Sequence, residues 1–325
     1  MSDKINLSID GMEIQAEPGS MIIQAAMDNG MYIPYLCYYP GMKPYGACRM
    51  CVVKAETPTP DGSYRSLPGN PASCTTPVSE GMRVETNTEG LVDLRKGVMD
   101  LLISEHPHGC LNCHRIDLCG PTDVCLRHVT VKDRCVTCPK NERCELKDTV
   151  RYMEMELTTS LTYNNRHLPL EVKDPYIDMD MNLCIVCARC VRACDEIRND
   201  QAITLMDHSG RSIIGTANGT SLLESGCEFC GACVDVCPTG ASFIRSDGIV
   251  LVNSHNEGLN LLHPGLMQHL FCAKNSEIEV YCKENQISYS SCLKKSGISK
   301  TYISGLRKYI KEFNPAIIHI HDSHA

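Results

Sequence analysis

The chain has 325 residues with 31 Lys and Arg against 39 Asp and Glu, and the resulting formal charge of -8 argues against a nucleic-acid partner. It contains no Trp and only 4 Phe but 22 Cys, so bound metal has to supply stability that a large aromatic core would otherwise give. No run of about 20 apolar residues is present and Met1 to Asn6 lacks a signal-type stretch; this predicts no membrane span, a reducing cytoplasm, and thiols used for metal ligation rather than disulfides.

Residues 4 to 9 alternate polar and apolar, Asp10-Gly11 makes a turn, and Met12 to Ala16 alternate again, which predicts a β-hairpin. After Pro18-Gly19, Ser20 is placed to cap a helix running to Asn29, with Gly30 ending it. The first cysteine array follows as Cys37-x10-Cys48-x2-Cys51-x22-Cys74. A close central pair with two distant outer ligands suits a flat 2Fe-2S rhomb wrapped by a loop, although plant-type spacing is shorter between its first two ligands.

Two further sets come next: His106-x3-Cys110-x2-Cys113-x5-Cys119, then Cys125-x9-Cys135-x2-Cys138-x5-Cys144. The second repeats the x2 and x5 intervals of the first. Either a 4Fe-4S site has been duplicated, or one cluster draws its ligands from eight candidates; ligation of zinc by Cys125, Cys135, Cys138 and Cys144 is equally legal chemistry. His108, His114 and His128 match no spacing and are expected at the surface. Residues 145 to 175 carry alternating patches and then Pro169 and Pro175, which predicts a short strand pair and a linker.

The last two arrays are Cys184-x2-Cys187-x2-Cys190-x3-Cys194 and Cys227-x2-Cys230-x2-Cys233-x3-Cys237-Pro238. Three thiolates in one short turn can grip three corners of an iron-sulfur cube, whereas structural zinc normally takes two ligands from each of two knuckles. The paired runs and the terminal Cys-Pro resemble a two-cluster ferredoxin, and that resemblance implies crossed ligation. Cys184, Cys187, Cys190 and Cys237 would hold one 4Fe-4S cluster, and Cys227, Cys230, Cys233 and Cys194 the other. Arg189 and Arg192, lying between ligands, would either bond cluster sulfurs or a partner, or be solvated.

From about residue 253 no cluster spacing survives, and Cys272, Cys282 and Cys292 are expected as free thiols. Glu277 to Cys282 reads as a buried strand, Ser299 to Phe313 as an amphipathic helix and Ala316 to His321 as another strand, an α/β rhythm.

The order of these motifs over residues 1 to about 252 resembles the N-terminal iron-sulfur region of the large iron-sulfur subunit of complex I, of NAD-linked formate dehydrogenases and of iron-only hydrogenases. In those families a β-grasp domain is followed by a His-x3-Cys-x2-Cys-x5-Cys site and then by the two-cluster module. The resemblance implies that His106 ligates a 4Fe-4S cluster with Cys110, Cys113 and Cys119. One departure stands out: the family motif opens with His-Pro and closes with Cys-Glu-Leu, whereas here His106-Pro107 and Cys144-Glu145-Leu146 are far apart. The larger of the two readings is therefore an additional 4Fe-4S cluster at Cys125, Cys135, Cys138 and Cys144.

The expected fold class is α+β: a β-grasp 2Fe-2S ferredoxin domain (residues 1–95), a His/Cys cluster segment (96–150), a linker (151–175), a double 4Fe-4S ferredoxin module (176–252) and an unrelated, α/β-patterned C-terminal tail (253–325). The cofactors are one 2Fe-2S and three or four 4Fe-4S clusters. No dinucleotide Gly-x-Gly-x-x-Gly and no radical-type Cys-x3-Cys-x2-Cys is present. The expected function is thus an electron-transfer subunit with no catalytic site of its own. It would relay electrons between a flavin, NADH-oxidising subunit and a catalytic subunit of molybdenum, tungsten or hydrogenase type. The alternatives are the iron-sulfur fragment of a molybdopterin formate dehydrogenase whose catalytic domain is missing or split off, and a zinc scaffold.

Overall fold

Apolar residues at alternate positions give the chain its first two strands, β1 (Ile5–Ile9) and β2 (Met12–Ala16), paired antiparallel from Ile5 opposite Ala16 to Ile9 opposite Met12. Leu7, Ile9, Ile14 and Ala16 all face inward. Asp10 (φ 49°) and Gly11 (φ 80°) supply the two left-handed residues that a tight two-residue hairpin needs. This is a computed structural model; it describes residues 4–120, 123, 125, 134–155, 161–171, 174, 176–206 and 212–244, together with the backbone of four later strands at 249–253, 267–273, 289–292 and 318–321.

Helix α1 (Ile22–Asp28) buries Ile22, Ile23, Ala25 and Ala26, and Gly30 (φ 74°) ends it as expected. Ser20 does not cap it. The cap position is Met21, and the Ser20 hydroxyl instead donates to the Glu17 carbonyl at 2.7 Å, closing the Pro18-Gly19 turn. Strands β3 (Lys54–Pro58), β4 (Tyr64–Ser66) and β5 (Arg83–Glu85) complete a five-stranded sheet in the order β2-β1-β5-β3-β4. The β1–β5 pair is parallel and the rest antiparallel, with α1 packed over the same core as Val53 and Val84.

Helix α2 (Glu89–Ser104) turns Leu91, Arg95, Met99 and Ile103 inward at helical spacing, and the buried Arg95 donates to the Val52 carbonyl at 2.6 Å. It runs unbroken through the expected boundary at residues 95–96. The strand pair expected after residue 144 is replaced by helix α3 (Glu145–Tyr152). Leu146, Lys147, Thr149 and Val150 recur at i, i+1, i+3 and i+4, a helical stripe that the local alternation had masked, and Glu145 and Asp148 suit the positive N-terminal end.

In the next module β6 (Ile177–Met179) pairs antiparallel with β9 (Ser242–Ile244), bringing its two ends together, while β7 (Thr204–Met206) and β8 (Ile213–Gly215) form a hairpin. Between them lie two short helices, α4 (Arg189–Arg192), continuing as a π-helical turn over Ala193–Ile197, and α5 (Ala232–Asp235). In the tail, β10 (Ile249–Asn253), β11 (Met267–Ala273), β12 (Tyr289–Cys292) and β13 (Ile318–His321) pair in parallel in the order β12-β11-β10-β13. The expected strand at Glu277 to Cys282 and helix at Ser299 to Phe313 lie outside the described residues. Among the described residues no helix is long and apolar enough to cross a membrane.

Candidate metal centres

The first array is gathered by the loop between α1 and β3 and the segment before β5. Cys37, Cys51 and Cys74 are buried and Cys48 half-buried. Cys37 and Cys48 exchange backbone donors, each amide donating to the other's sulfur at 3.4 Å, and the Ser73 amide donates to the Cys51 carbonyl at 3.0 Å, holding Cys74 beside Cys51. Gly46 (φ 70°) has to be glycine, since a Cβ there would stand 2.9 Å from the Thr75 methyl. The sulfurs share protons: hydrogen bonds from Cys48 and Cys74 pull the Cys37 thiol down to about 2, and the one from Cys74 holds Cys51 near about 7. The same contact with Cys37 pushes Cys48 and Cys74 up. Four converging sulfurs bonded by backbone amides are the donor set an anionic 2Fe-2S centre requires.

In the double array the two cysteine loops have one backbone plan. The residue before the second cysteine is left-handed in both (Val186 φ 53°, Phe229 φ 54°), as is the residue after it (Ala188 φ 56°, Gly231 φ 78°). Each loop also turns an amide onto its first sulfur, Val186 N to Cys184 Sγ and Phe229 N to Cys227 Sγ, both at 3.3 Å. A β-branched residue held in this region costs about 1–2 kcal/mol, a strain that persists where the loop must wrap something. Cys184, Cys187, Cys190 and Cys237 line one small cavity, and Cys194, in the π-helical turn, lies on the other side with Cys227, Cys230 and Cys233. The fold thus gathers the cysteines in two crossed groups of four. Burial pushes Cys184 up to about 11 and Cys187 and Cys227 to about 12, so these thiols stay neutral unless a cation replaces their protons.

The intervening segment is arranged differently from its expected sets. His106 lines a cavity of about 540 Å³ with Cys135, Cys138 and Cys144. Cys110, Cys113, Cys119 and Cys125 line a neighbouring cavity of about 470 Å³. The family resemblance implied that His106 joins Cys110, Cys113 and Cys119; the fold brings residues 135–144 back onto it, with Cys110 and Cys135 meeting sulfur to sulfur at the border. The His106 Nδ1 bonds the Pro107 carbonyl at 2.8 Å, which leaves Nε2 as the nitrogen with a lone pair, and burial lowers its pKa to about 4, so the ring is neutral as a ligand must be. His108 is not a surface residue: it is buried, its Nδ1 set 2.9 Å from the Ile103 carbonyl, whereas His114 is exposed and His128 lies outside the described residues. Among the described residues no three His, Cys, Asp or Glu side chains are grouped to hold a single metal ion.

Residues lying between ligands join these sites. Arg189 is fully buried, forms a two-pronged ion pair with Glu145 at 2.7 and 2.9 Å, and lies near the rings of Tyr35 and Tyr39. Arg192 donates to the Lys43 carbonyl at 2.8 Å and to the carbonyl of Cys37. Neither arginine is solvated: Arg189 ties the double array to α3, and Arg192 ties it to the first domain. Lys140 reaches from between Cys138 and Cys144 to the Val234 carbonyl at 2.8 Å. Gly240 touches the His106 cavity so closely that a Cβ there would collide with Cys138 Sγ. The arginine between ligands was the one sequence signal for this; Lys140 and Gly240 had none.

Two ferredoxin-type modules, each built around converging cysteines, define an iron-sulfur protein. Residues 2–89 match the 2Fe-2S iron-sulfur cluster binding domain, and residues 174–242 match the ferredoxin-like domain of NADH-quinone oxidoreductase subunit 3. The chain is 31% identical over 236 residues to the NADPH-Fe(3+) oxidoreductase subunit alpha of Geobacter sulfurreducens, covering 73% of this chain and 24% of that one. It is 32% identical over 237 residues to the G subunit of the NADH-quinone oxidoreductase of Rickettsia conorii, covering 73% and 30%. The resemblance drawn from the motifs to the large iron-sulfur subunit of complex I holds over this stretch, and the chain spans about a quarter to a third of the length of these relatives. A chain of an NAD+-reducing [NiFe]-hydrogenase in the H2-reduced state shares the fold, with a TM-score of 0.57 and 24% identity over 75% of this chain and 88% of that one.

Proposed function

We propose that the chain is an electron-transfer subunit of a cytoplasmic oxidoreductase complex. It relays electrons between a flavin, NADH-oxidising subunit and a separate catalytic subunit of complex I-like, formate dehydrogenase-like or hydrogenase-like type. Cys37, Cys48, Cys51 and Cys74 hold a 2Fe-2S cluster. Cys184, Cys187, Cys190 and Cys237 hold one 4Fe-4S cluster, Cys227, Cys230, Cys233 and Cys194 a second, and His106 belongs to a further centre between them. Such clusters supply one-electron carriers whose potentials follow charge, hydrogen bonding and exposure.

The observation that carries the reading is the unbroken packing of cysteine sites against one another. Arg192, two residues from both Cys190 and Cys194, bonds the Cys37 carbonyl. The Pro238 carbonyl accepts from the Leu146 amide at 3.3 Å and lies 3.7 Å from Cys144 Sγ, so the Cys237 loop rests directly on the His106 cavity. The chain's own work is to hold thiolates, exclude water and keep neighbouring centres within electron-transfer reach. Anaerobically purified chain is expected to accept electrons from dithionite and, alone, to leave NADH, formate and hydrogen unchanged. Turnover of any of these three by the single chain contradicts the relay.

A further inference from the structure

The segment 106–144 contains the same structural arm twice. In the first arm the Cys113 amide bonds the Cys110 carbonyl at 3.1 Å, and a 3-10 turn at Ile116–Leu118 delivers Cys119. In the second the Cys138 amide bonds the Cys135 carbonyl at 3.0 Å, and a 3-10 turn at Asn141–Arg143 delivers Cys144. Each arm presents three sulfurs to its own cavity, and each cavity has one more ligand: His106 from before the first arm reaches the second arm's cavity, and Cys125 from after it reaches the first.

Resting on the reading of this segment as cluster-binding, we infer that Cys110, Cys113, Cys119 and Cys125 hold a 4Fe-4S cluster of their own, distinct from one held by His106, Cys135, Cys138 and Cys144. The turn that carries Cys119 towards Cys125 is built for the purpose. The Gly120 amide donates to Asp123 Oδ2 at 2.7 Å, the Asp123 amide to the Gly120 carbonyl at 3.2 Å, and the Arg134 guanidinium donates to the carbonyls of both Gly120 and Asp123. Arg134 lines both cavities, so the residue before the second arm locks the loop of the first. Cys125 follows Cys119 by the same x5 interval that separates Cys113 from Cys119, so one continuous run supplies all four ligands, whereas a zinc site takes two and two from paired knuckles. With four thiolates against three and a neutral imidazole, the Cys110 centre carries one more negative charge and takes the lower potential of the two.

The test uses the full chain purified anaerobically, with iron and zinc analysis and pulsed electron paramagnetic resonance of the directly bound histidine nitrogen, assigned by its loss in His106→Ala. Wild type is expected to hold about 18 iron atoms per chain and no zinc, and Cys113→Ala/Cys119→Ala to lose about four of them while keeping the nitrogen coupling. Cys125→Ala is expected to lose about one to four iron atoms, again with the coupling intact, and Cys138→Ala to abolish the coupling. Retention of the 2Fe-2S signal shows that each variant has folded. The inference is overturned if wild type holds about 14 iron atoms with one zinc that Cys125→Ala removes, or if the coupling is lost in Cys113→Ala/Cys119→Ala and survives in Cys138→Ala. A wild-type chain without iron overturns the proposed function as a whole.

Discussion

The double array of residues 184–237 and the segment of residues 106–144 use the same ligand chemistry and were unequally readable. In the double array three ligands of each set sit within one turn, so spacing alone groups them. Only the fourth is exchanged, and the antiparallel β6–β9 pair brings it home. In the segment, the x2 and x5 intervals identify two arms but say nothing about which distant ligand serves which. That choice is made in three dimensions, by residues 135–144 packing back against His106 and by Arg134 bridging the loop at Gly120 and Asp123. Spacing groups the three ligands that close within one turn; the exchanged fourth of the double array is what the ferredoxin resemblance implies, and in the segment tertiary contacts make the choice.

The sharpest way to break this comparison is to remove the ion pair that joins the two regions. Arg189 is 0% exposed and Glu145 37% exposed at its side chain, so the two halves of the pair are not equivalent. Glu145→Ala strands a buried guanidinium and is expected to cost about 3–5 kcal/mol in anaerobic denaturant unfolding, whereas Arg189→Met leaves a carboxylate that water can reach and is expected to cost clearly less. Equal costs would show that the pair is not the joint between the regions.

A second variant separates them more finely. Gly240→Ala forces a methyl against Cys138 Sγ and is expected to cost about 1–3 kcal/mol by overpacking. The signal of the His106 centre should change while that of the Cys227 centre stays as it was. Unchanged spectra from both centres would mean that the Pro238–Gly240 loop does not touch the first region as described.

The smallest effect tests the repeat inside the double array. Ala188 and Gly231 occupy equivalent left-handed positions, so Gly231→Ala is expected to be tolerated at a cost of about 1 kcal/mol with full iron content, because its twin already carries that side chain. Loss of a cluster in this variant would end the equivalence of the two loops.

Much of the fold was legible for the same reason as the double array. The β1–β2 hairpin needed only alternation and Asp10-Gly11, and the end of α1 needed only Gly30. What escaped depended on partners far along the chain. Ser20 looked like a cap until the Glu17 carbonyl claimed its hydroxyl. Residues 145–152 looked like strand because their outward positions break the helical stripe with charge, and His108 looked solvent-exposed although the end of α2 covers it. Arg189 and Arg192 were visible as residues between ligands, but nothing in their neighbourhood names Glu145 or the Cys37 carbonyl, which are 44 and 155 residues away.

The relay itself is tested most directly by counting electrons. In a reductive titration of the anaerobically purified full chain, dithionite is expected to deliver about five electrons per chain, one for each cluster, and NADH none in the absence of partner subunits. An uptake of about four would remove the Cys110 centre alone; an uptake of one or none, or zinc in place of iron, would contradict the account.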